Sequence, residues 1–177
     1  MTRPPAARNP ATWLFAAVFA SAYFALYLGY CTVPDSFLRD KVYFYGIVAP
    51  SKSMINWLAP AEHVMGEQNR LQSPTARLNI VRGCDGSGVA FLLIAAIVAL
   101  RSSLRRSLFG AIGAVALVYV LNQMRIVTLY FVQTRMPAWF IPMHVYFVPT
   151  LMILIAAIYF FVWTAYGTHD GRSAAEA

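Results

Sequence analysis

The chain has 177 residues, of which 59% are hydrophobic and only 12% are charged, and its mean hydropathy is +0.57. Soluble domains carry about 25% charged residues, so this composition excludes an ordinary soluble domain and indicates one compact helical membrane unit. The formal net charge is +7. It requires no nucleic-acid partner, because membrane topology and anionic lipid also account for an excess of basic residues.

Four apolar stretches are candidates for membrane-spanning helices. A helix needs roughly 20 apolar residues to cross a bilayer, and three stretches approach or exceed that length. The fourth is short, but it spans if it extends into its flanking residues and Arg101 snorkels. The first is longer than the apolar region of a signal peptide and lacks a convincing cleavage site, so we interpret it as a retained span. The predicted spans are 13–31, 86–102, 107–132 and 145–163.

The arginines predict the orientation of these spans. With four spans, the N-terminal tail, the connection between spans two and three and the C-terminal tail share one side, which the positive-inside rule makes cytoplasmic. The arginines of these segments are Arg3, Arg8, Arg101, Arg105, Arg106 and Arg172. The segment 32–85 and the loop 133–143 are then outside. We therefore expect residues 1–177 to form a single all-α polytopic membrane domain with a long outer segment.

The outer segment, 32–85, is expected to be structured. Residues 35–49 mix charged and aromatic side chains, which is typical of a helix lying in the membrane interface. Pro50 is expected to break this helix because proline lacks the backbone N–H that a helix interior needs. Ser51 is placed to cap a second short helix, which Pro60 would end.

Residues 69–81 predict a small β-hairpin. Leu78 and Ile80 alternate with polar neighbours, and residues 73–75, Ser-Pro-Thr, supply a turn. The second strand would run directly into Cys84. A rigid strand that ends at the mouth of a membrane helix is a suitable support for a reactive side chain.

Cys84 lies in a glycine-rich sequence, Val-Arg-Gly-Cys-Asp-Gly-Ser-Gly, over residues 81–88. Glycines at 83 and 86 permit a tight turn into the following helix, which Asp85 or Ser87 would cap. The dipole of that helix favours a thiolate at Cys84, and free amides of the turn would stabilise an oxyanion. Alternatively, the turn only carries the chain into the membrane, and the cysteine is incidental.

Arg125 has apolar sequence on both sides and lies near the predicted outer membrane boundary. A cation there is costly and usually faces a partner or a wet cavity. Asn122 lies three residues earlier on the same helical face, so the two side chains are placed to position a thiolate or a substrate carbonyl. The alternative is that Arg125 snorkels to lipid phosphate.

His144 immediately precedes the last predicted span, where an imidazole can titrate near neutral pH and reach across the opening of a helix bundle. The alternative is an ordinary polar anchor at the interface. With four spans, His144 lies on the same outer face as Cys84 and Arg125. A thiol, a permanent cation and an imidazole on one face indicate a peptidase-like set.

Taken together, the cysteine in its glycine turn, the Asn-x-x-Arg motif at 122–125 and the histidine before the final span resemble the exosortase/archaeosortase family of membrane-embedded transpeptidases. The resemblance covers residues 80–163, and its specificity comes from the order Cys, Arg, His on one side of the membrane. The short length and single outer segment are similar to compact members such as the exosortase H-like proteins.

This resemblance implies that Cys84 is the nucleophile, Arg125 the charge-stabilising residue and His144 the general acid/base. The residues expected to support them are Asn122, Gly83 and Gly86. By the same resemblance, the partner is a membrane-anchored exported protein whose C-terminal sorting signal consists of a short motif, a membrane helix and a basic tail. The expected location is the inner membrane of a bacterium, with both termini in the cytoplasm and the active site at the outer face.

Two positions depart from the family pattern. Asp85 follows the cysteine where a serine or threonine is usual, and an acid there opposes thiolate formation unless it points away or pairs with Arg82. Val145 follows the histidine where many members have an acidic residue. The group that would orient His144 is therefore unidentified at the level of sequence.

Two other functions are compatible with the sequence. Cys31 and Cys84 could form the disulfide of a membrane thiol oxidoreductase, although such proteins generally need a C-x-x-C motif, which the chain lacks. A non-catalytic membrane assembly factor would use the same boundary residues for packing and anchoring. The sequence contains no metal-ligand cluster and no phosphate-binding glycine loop with a lysine, so we expect no metal and no organic cofactor.

Overall fold

The computed structural model describes residues 10–100 and 102–173, with side chains described for 11–100 and 102–166. Arg3, Arg8 and Arg101, on which the predicted orientation partly depends, lie outside the described residues. The side chain of Arg172 is likewise not described. The structure is about 80% helical, in agreement with an all-α membrane protein.

Five helices in the described part of the chain are labelled α1 to α5. Helix α1 covers Pro10–Thr32, and α2 runs without a break through Asp35–Phe37, Leu38–Val48 and Ala49–Leu58. Helix α3 covers Ser87–Ala99, and α4 covers Leu104–Arg135. Helix α5 consists of Pro137–Trp139, Phe140–Pro142, Met143–Phe147 and Val148–Ser173.

Three of these helices are long and apolar enough to cross a membrane, over Ala11–Thr32, Leu104–Arg135 and Pro137–Tyr166. They correspond to three of the predicted spans. Where the sequence predicts a span over 86–102, the structure has helix α3, which contains only 13 residues. At 1.5 Å per residue it is about 20 Å long, which is shorter than the roughly 30 Å hydrocarbon core of a bilayer.

The prediction that residues 133–143 form a loop is wrong. Helix α4 continues to Arg135 and α5 begins at Pro137, so only Met136, with an extended φ of −143°, separates them. Pro137 does not prevent a helix here, because a proline is tolerated in the first turn, where its missing N–H would have no partner. As a consequence, His144 lies inside α5 and not immediately before it.

The prediction that Pro50 breaks the outer helix is also wrong. Residues 38–48 are π-helical, and the chain continues directly into the α-helical Ala49–Leu58. Pro50 has no N–H to donate to the carbonyl of Gly46, and the side chain of Gln123 compensates by donating to that oxygen at 2.8 Å. Ser51 is therefore not a helix cap. Its buried hydroxyl donates to Gln123 Oε1 at 2.6 Å.

The same relation between proline and π-helix recurs in α5. The π-helical segment Met143–Phe147 ends two residues before Pro149, as the first one ends two residues before Pro50. A widened turn is one way in which a helix accommodates the hydrogen bond that a proline removes. This widened turn carries His144.

The buried apolar residues form two clusters, and α4 contributes to both. The outer cluster joins α2 and the sheet to Ile126, Val127 and Tyr130 of α4. The inner cluster joins α3 and α5 to Ala114 and Val118 of α4. The segment between them carries Asn122, Gln123 and Arg125, whose side chains are buried.

Helices α4 and α5 pack closely where Gly110 and Gly113 of α4 face α5. A Cβ added at Gly110 would lie 2.6 Å from Trp163 Nε1, and one at Gly113 would overlap the hydroxyl of Tyr159. Tyr159 Oη also donates to the Gly110 carbonyl at 2.7 Å. These glycines therefore serve contact within the bundle, because only their lack of a side chain lets the two helices approach so closely.

The outer segment also contains a three-stranded antiparallel sheet of order β1-β2-β3. The strands are Met65–Glu67, Arg70–Gln72 and Arg77–Asn79. Leu71 is fully buried and pairs with Leu78, which packs on the outer cluster. The last strand does not run directly into Cys84 as predicted, because residues 80–83 lie between them.

A hydrogen-bond network fastens the sheet to the outer end of α4. The fully buried Tyr130 donates to Glu62 Oε2 at 2.8 Å and lies 2.8 Å from the Ser73 hydroxyl. Thr75 Oγ1 donates to the same Glu62 oxygen at 2.8 Å. These bonds, first the one from Tyr130 and then the one from Thr75, hold the pKa of the Glu62 carboxyl below its ordinary value.

We expect Gln123→Met to lower the free energy of unfolding by about 2 kcal/mol, because it removes the side-chain partner of the half-buried Gly46 carbonyl and of the buried Ser51 hydroxyl. Equilibrium unfolding in detergent micelles measures the change. Met124→Leu, at an exposed neighbouring position, is the control and should have little effect. A loss for Gln123→Met no greater than that of the control would contradict the role assigned to this side chain.

We expect Tyr130→Phe to cost about 1 kcal/mol at neutral pH, through the hydrogen bond to the Glu62 carboxylate. A carboxyl whose folded pKa is lowered contributes stability above its unfolded pKa of about 4.3 and loses it as the pH falls through the folded value. The difference from the parent protein should therefore shrink below pH ~4. Unfolding midpoints across this range test it, with Tyr119→Phe at an exposed position of α4 as control. A difference independent of pH would refute the Glu62 linkage.

Candidate active site

Cys84 is held in a turn that two glycines make possible. Gly83 and Gly86 have φ values of +85° and +82°, in the left-handed region that favours glycine. The Cys84 amide donates to the Val81 carbonyl at 2.9 Å, which closes the turn before α3. Gly86 also meets α4 closely, since a Cβ added there would lie 3.2 Å from Asn122 Cβ and 3.2 Å from Val118 Cγ1.

Asp85 points away from the thiol. One oxygen accepts the Ser87 amide at 3.2 Å and the Ser87 hydroxyl at 2.8 Å, so that Asp85 satisfies the first amide of α3. The other oxygen accepts a hydrogen bond from Tyr30 of α1, whose hydroxyl lies 2.7 Å from that of Tyr43 in α2. The acid beside the cysteine thus fastens the turn to its neighbours.

Arg82 does not pair with Asp85. It donates to Asp35 Oδ1 at 2.9 Å and to the carbonyl of Tyr30 at 2.7 Å, and its guanidinium lies 4.9 Å from the centre of the Tyr30 ring. An acid beside the cysteine does not oppose thiolate formation if it pairs with Arg82 or points away from the thiol. The structure has the second arrangement.

His144 reaches the thiol. Its Nε2 lies 3.7 Å from Cys84 Sγ, within hydrogen-bonding distance for sulfur. Its ring stacks on Phe140, one helical turn earlier, with centroids 5.5 Å apart and an interplanar angle of 7°. Phe140, and not a carboxylate, is thus the group that orients the imidazole. Its position four residues before the histidine was the available signal, because such residues share a helical face.

Arg125 is buried, with only 8% of its surface exposed, and it forms no ion pair with any residue that the structure describes. Its Nε has no hydrogen-bond partner. A buried guanidinium without a counterion is unfavourable unless a ligand or a reacting group supplies the missing negative charge. The alternative that Arg125 extends to lipid phosphate is difficult to reconcile with this burial.

Cys84, Arg125 and His144 line one cavity of about 270 Å³. Its walls are the last strand of the sheet, the Cys84 turn, α4 and the first turns of α5. The remaining lining residues are Arg77, Leu78, Asn79, Ile80, Ile126, Leu129 and Phe140. No pattern in the sequence distinguishes the strand residues, because their place in the cavity wall depends on how the sheet packs on α4.

Asn122 does not lie beside Arg125 at the cavity as predicted. It does not line the cavity, and its side chain packs against Gly86 beneath the Cys84 turn. Like Gly86, it positions the turn. Among the described residues, the buried side-chain nitrogen and oxygen atoms without a hydrogen-bond partner are Asn122 Oδ1, Arg125 Nε and His144 Nδ1. Unsatisfied buried polar atoms are rare in folded proteins, so their concentration near this cavity makes it the candidate functional site.

The turn offers fewer free amides than predicted. The amide of Cys84 is bound to Val81, and that of Ser87 is bound to Asp85. Neither is available to an oxyanion, whereas the guanidinium of Arg125 is a donor group that lines the cavity. Cys31 is exposed and Cys84 is half-buried, and both thiols are free, so the structure contains no disulfide between them.

The chain matches no protein-family model, no curated protein and no solved structure.

We expect Gly86→Ala to disturb the site more than Gly83→Ala. Both substitutions place a side chain at positive φ, which costs roughly 1–2 kcal/mol. At Gly86 the added Cβ also meets Asn122 and Val118 on α4, whereas at Gly83 there is open space within 4 Å. The rate of Cys84 alkylation by iodoacetamide, measured with Cys31→Ser to leave one thiol, should change mainly for Gly86→Ala. Equal changes would mean that the contact with α4 does not position Cys84.

Proposed function

We propose that the protein is a membrane-embedded cysteine transpeptidase or protease that processes the C-terminal sorting signals of exported proteins through a thioester acyl-enzyme. The observation that carries the proposal is the 3.7 Å approach of His144 Nε2 to Cys84 Sγ in a cavity that Arg125 also lines. A thiol beside a base is the general arrangement of a cysteine nucleophile.

In the first half-reaction, His144 Nε2 accepts the thiol proton while Cys84 Sγ attacks the carbonyl carbon of the scissile peptide bond. The carbon–sulfur bond forms, and the electron pair of the carbonyl moves to oxygen. The imidazolium then returns its proton to the leaving amine as the carbon–nitrogen bond breaks. The products are a thioester at Cys84 and the released C-terminal fragment.

Arg125 accounts for the charge that this reaction develops. The oxyanion of the tetrahedral intermediate would supply the negative partner that the buried guanidinium lacks among the described residues. Because Arg125 is already in place and shielded from water, it would stabilise that oxyanion without reorganisation. The same interaction is weaker with a neutral carbonyl, so it favours the transition state over the bound substrate.

The second half-reaction decides between the two activities in the proposal. An amine acceptor that attacks the thioester makes the protein a transpeptidase, and water makes it a protease. Both share Cys84, Arg125 and His144 in the first half-reaction. In either case His144 would deprotonate the attacking group and the thiolate of Cys84 would leave.

We also propose a four-pass arrangement in the inner membrane of a bacterium, with both termini in the cytoplasm and the cavity open to the outer face. The 32 residues of α4 are about 48 Å long. If the hydrocarbon core begins near Ser107, its roughly 30 Å thickness ends close to Arg125. Helix α3 is shorter than the core, so the Cys84 turn at its outer end would lie within the membrane boundary.

The proposal predicts a definite ranking of variants. We expect Cys84→Ala and Cys84→Ser to lose processing by more than about a thousandfold. His144→Gln should lower processing about a hundredfold or more, as expected for the loss of a general acid/base. Arg125→Met should lower it by a similar factor, because it removes an oxyanion donor. The assay is the gel mobility of a coexpressed, tagged exported protein that ends in a short motif, a hydrophobic helix and a basic cluster. Cys31→Ser is the control and should keep full processing.

The outcomes separate the proposal from the other two functions. Loss of processing with Cys31→Ser as well as with Cys84→Ser would support a disulfide-forming oxidoreductase. Full processing by both Cys84 variants would exclude a cysteine enzyme and support an assembly factor. Trapping with hydroxylamine, which releases a thioester as a hydroxamate, should label the cleaved substrate only when Cys84 is present.

A further inference from the structure

The last strand of the sheet, β3, has one edge without a strand partner among the described residues. It pairs with β2, and the order β1-β2-β3 places it at the edge of the sheet. An edge strand carries a row of backbone amides and carbonyls that can accept another extended chain. In most proteins such an edge is blocked or covered. The open edge of β3 adjoins the cavity that Cys84 lines.

The register shows which backbone groups face this edge. The Ile80 amide donates to the Asn69 carbonyl at 2.8 Å, and the Ser73 amide donates to the Ala76 carbonyl at 2.9 Å. Hydrogen-bonded and non-hydrogen-bonded pairs alternate along an antiparallel ladder. In the same register, the amides and carbonyls of Arg77 and Asn79 must therefore point away from β2, toward the open edge.

The cavity lies along that edge. Four consecutive residues, 77–80, line it. Successive side chains of a strand point to opposite faces of the sheet, so a cavity over one face would touch alternate residues. Contact with four residues in a row therefore indicates that the cavity runs beside the strand, between β3 and Leu129 of α4.

We propose that this edge binds the substrate peptide by β-strand addition. An extended segment of the protein substrate pairs with the backbone of Arg77 and Asn79, and this pairing brings its next peptide bond to Cys84. The occupant is a peptide because the free groups are main-chain donors and acceptors two residues apart, which is the spacing that an extended chain presents. Arg125, which is more than nine-tenths buried and has no ion-pair partner among the described residues, lines the same cavity.

This inference rests on the proposed function for the identity of the peptide as substrate. It adds a mode of recognition that depends mainly on the substrate backbone. Main-chain pairing also fixes the orientation of the peptide, which an acyl transfer requires because the carbonyl carbon must lie within reach of Sγ. Side chains of the peptide would then select the sequence from alternate positions along the strand.

The test uses a probe that needs neither the natural substrate nor catalysis. The full-length Cys31→Ser protein in detergent micelles is incubated with the mixed disulfide of acetyl-tetraalanyl-cysteamine and 2-mercaptoethanol. Exchange at Cys84 joins the peptide through a disulfide and releases 2-mercaptoethanol, and intact mass reports the adduct. Two further probes carry N-methyl groups, one on alanines 1 and 3 and the other on alanines 2 and 4.

One N-methyl pattern should weaken the adduct and the other should not, because alternate amides of an added strand face its partner. The stability of each adduct is measured as the concentration of free 2-mercaptoethanol that displaces half of the peptide. We expect this concentration to fall about tenfold for one of the two N-methylated probes, and to change less than twofold for the other. Equal effects of both patterns, or no adduct at Cys84, would overturn the proposal.

Variants of β3 locate the pairing. Asn79→Pro removes one outward amide without removing a hydrogen bond to β2, and proline is tolerated on an edge strand. It should abolish the difference between the two N-methyl probes, whereas Asn79→Ala, which keeps the amide, should retain it. The unfolding midpoint of each variant is measured alongside. If Asn79→Pro folds and retains the difference, the peptide does not pair with β3.

The test of strand addition and the test of the cysteine mechanism can fail separately. An alternating N-methyl effect together with full processing by Cys84→Ala would leave a peptide-binding edge and remove the cysteine mechanism. Loss of processing by Cys84→Ala together with equal N-methyl effects would keep the mechanism and remove strand addition.

Discussion

The buried polar segment in the middle of α4 is the constraint on which the other parts of the structure depend. Asn122, Gln123 and Arg125 lie between two apolar clusters, and buried polar groups need partners. Gln123 satisfies the carbonyl that Pro50 leaves free in α2, so the outer helix is fixed to α4. Asn122 lies against Gly86, which fixes the cysteine turn. Arg125 lies at the cavity and has no counterion among the described residues.

This division of roles explains why the turn is held on two sides while polar groups at the cavity lack partners among the described residues. The turn is fastened on one side by the Asp85 carboxylate, through Tyr30 and Ser87, and on the other by the contact of Gly86 with α4. The imidazole of His144 is oriented by stacking, which leaves its Nδ1 without a partner. In the proposed mechanism, the missing interactions form only during the reaction, as a site that stabilises a transient charged intermediate requires.

Sequence patterns selected three side chains that the structure brings together, but they did not predict the backbone that holds them. Cys84, Arg125 and His144 were selected because each is chemically conspicuous in an apolar chain, and they line one cavity. Pro50 was expected to end a helix, but a proline can be accommodated when a side chain from elsewhere binds the freed carbonyl. Gln123 donates to that carbonyl, on Gly46, from 77 positions further along the chain, and no local pattern reports such a contact.

The sequence by itself determined the apolar helical character, the long helices and the chemical identity of the candidate site, since composition and helix length follow from the hydrophobicity of each segment. Only the tertiary structure decided that α5 begins at Pro137, that Phe140 orients the imidazole and that the edge of β3 borders the cavity. These features depend on how elements distant in sequence pack together. Packing is set by the fit of side chains across such contacts, and hydrophobic periodicity records only which face is buried.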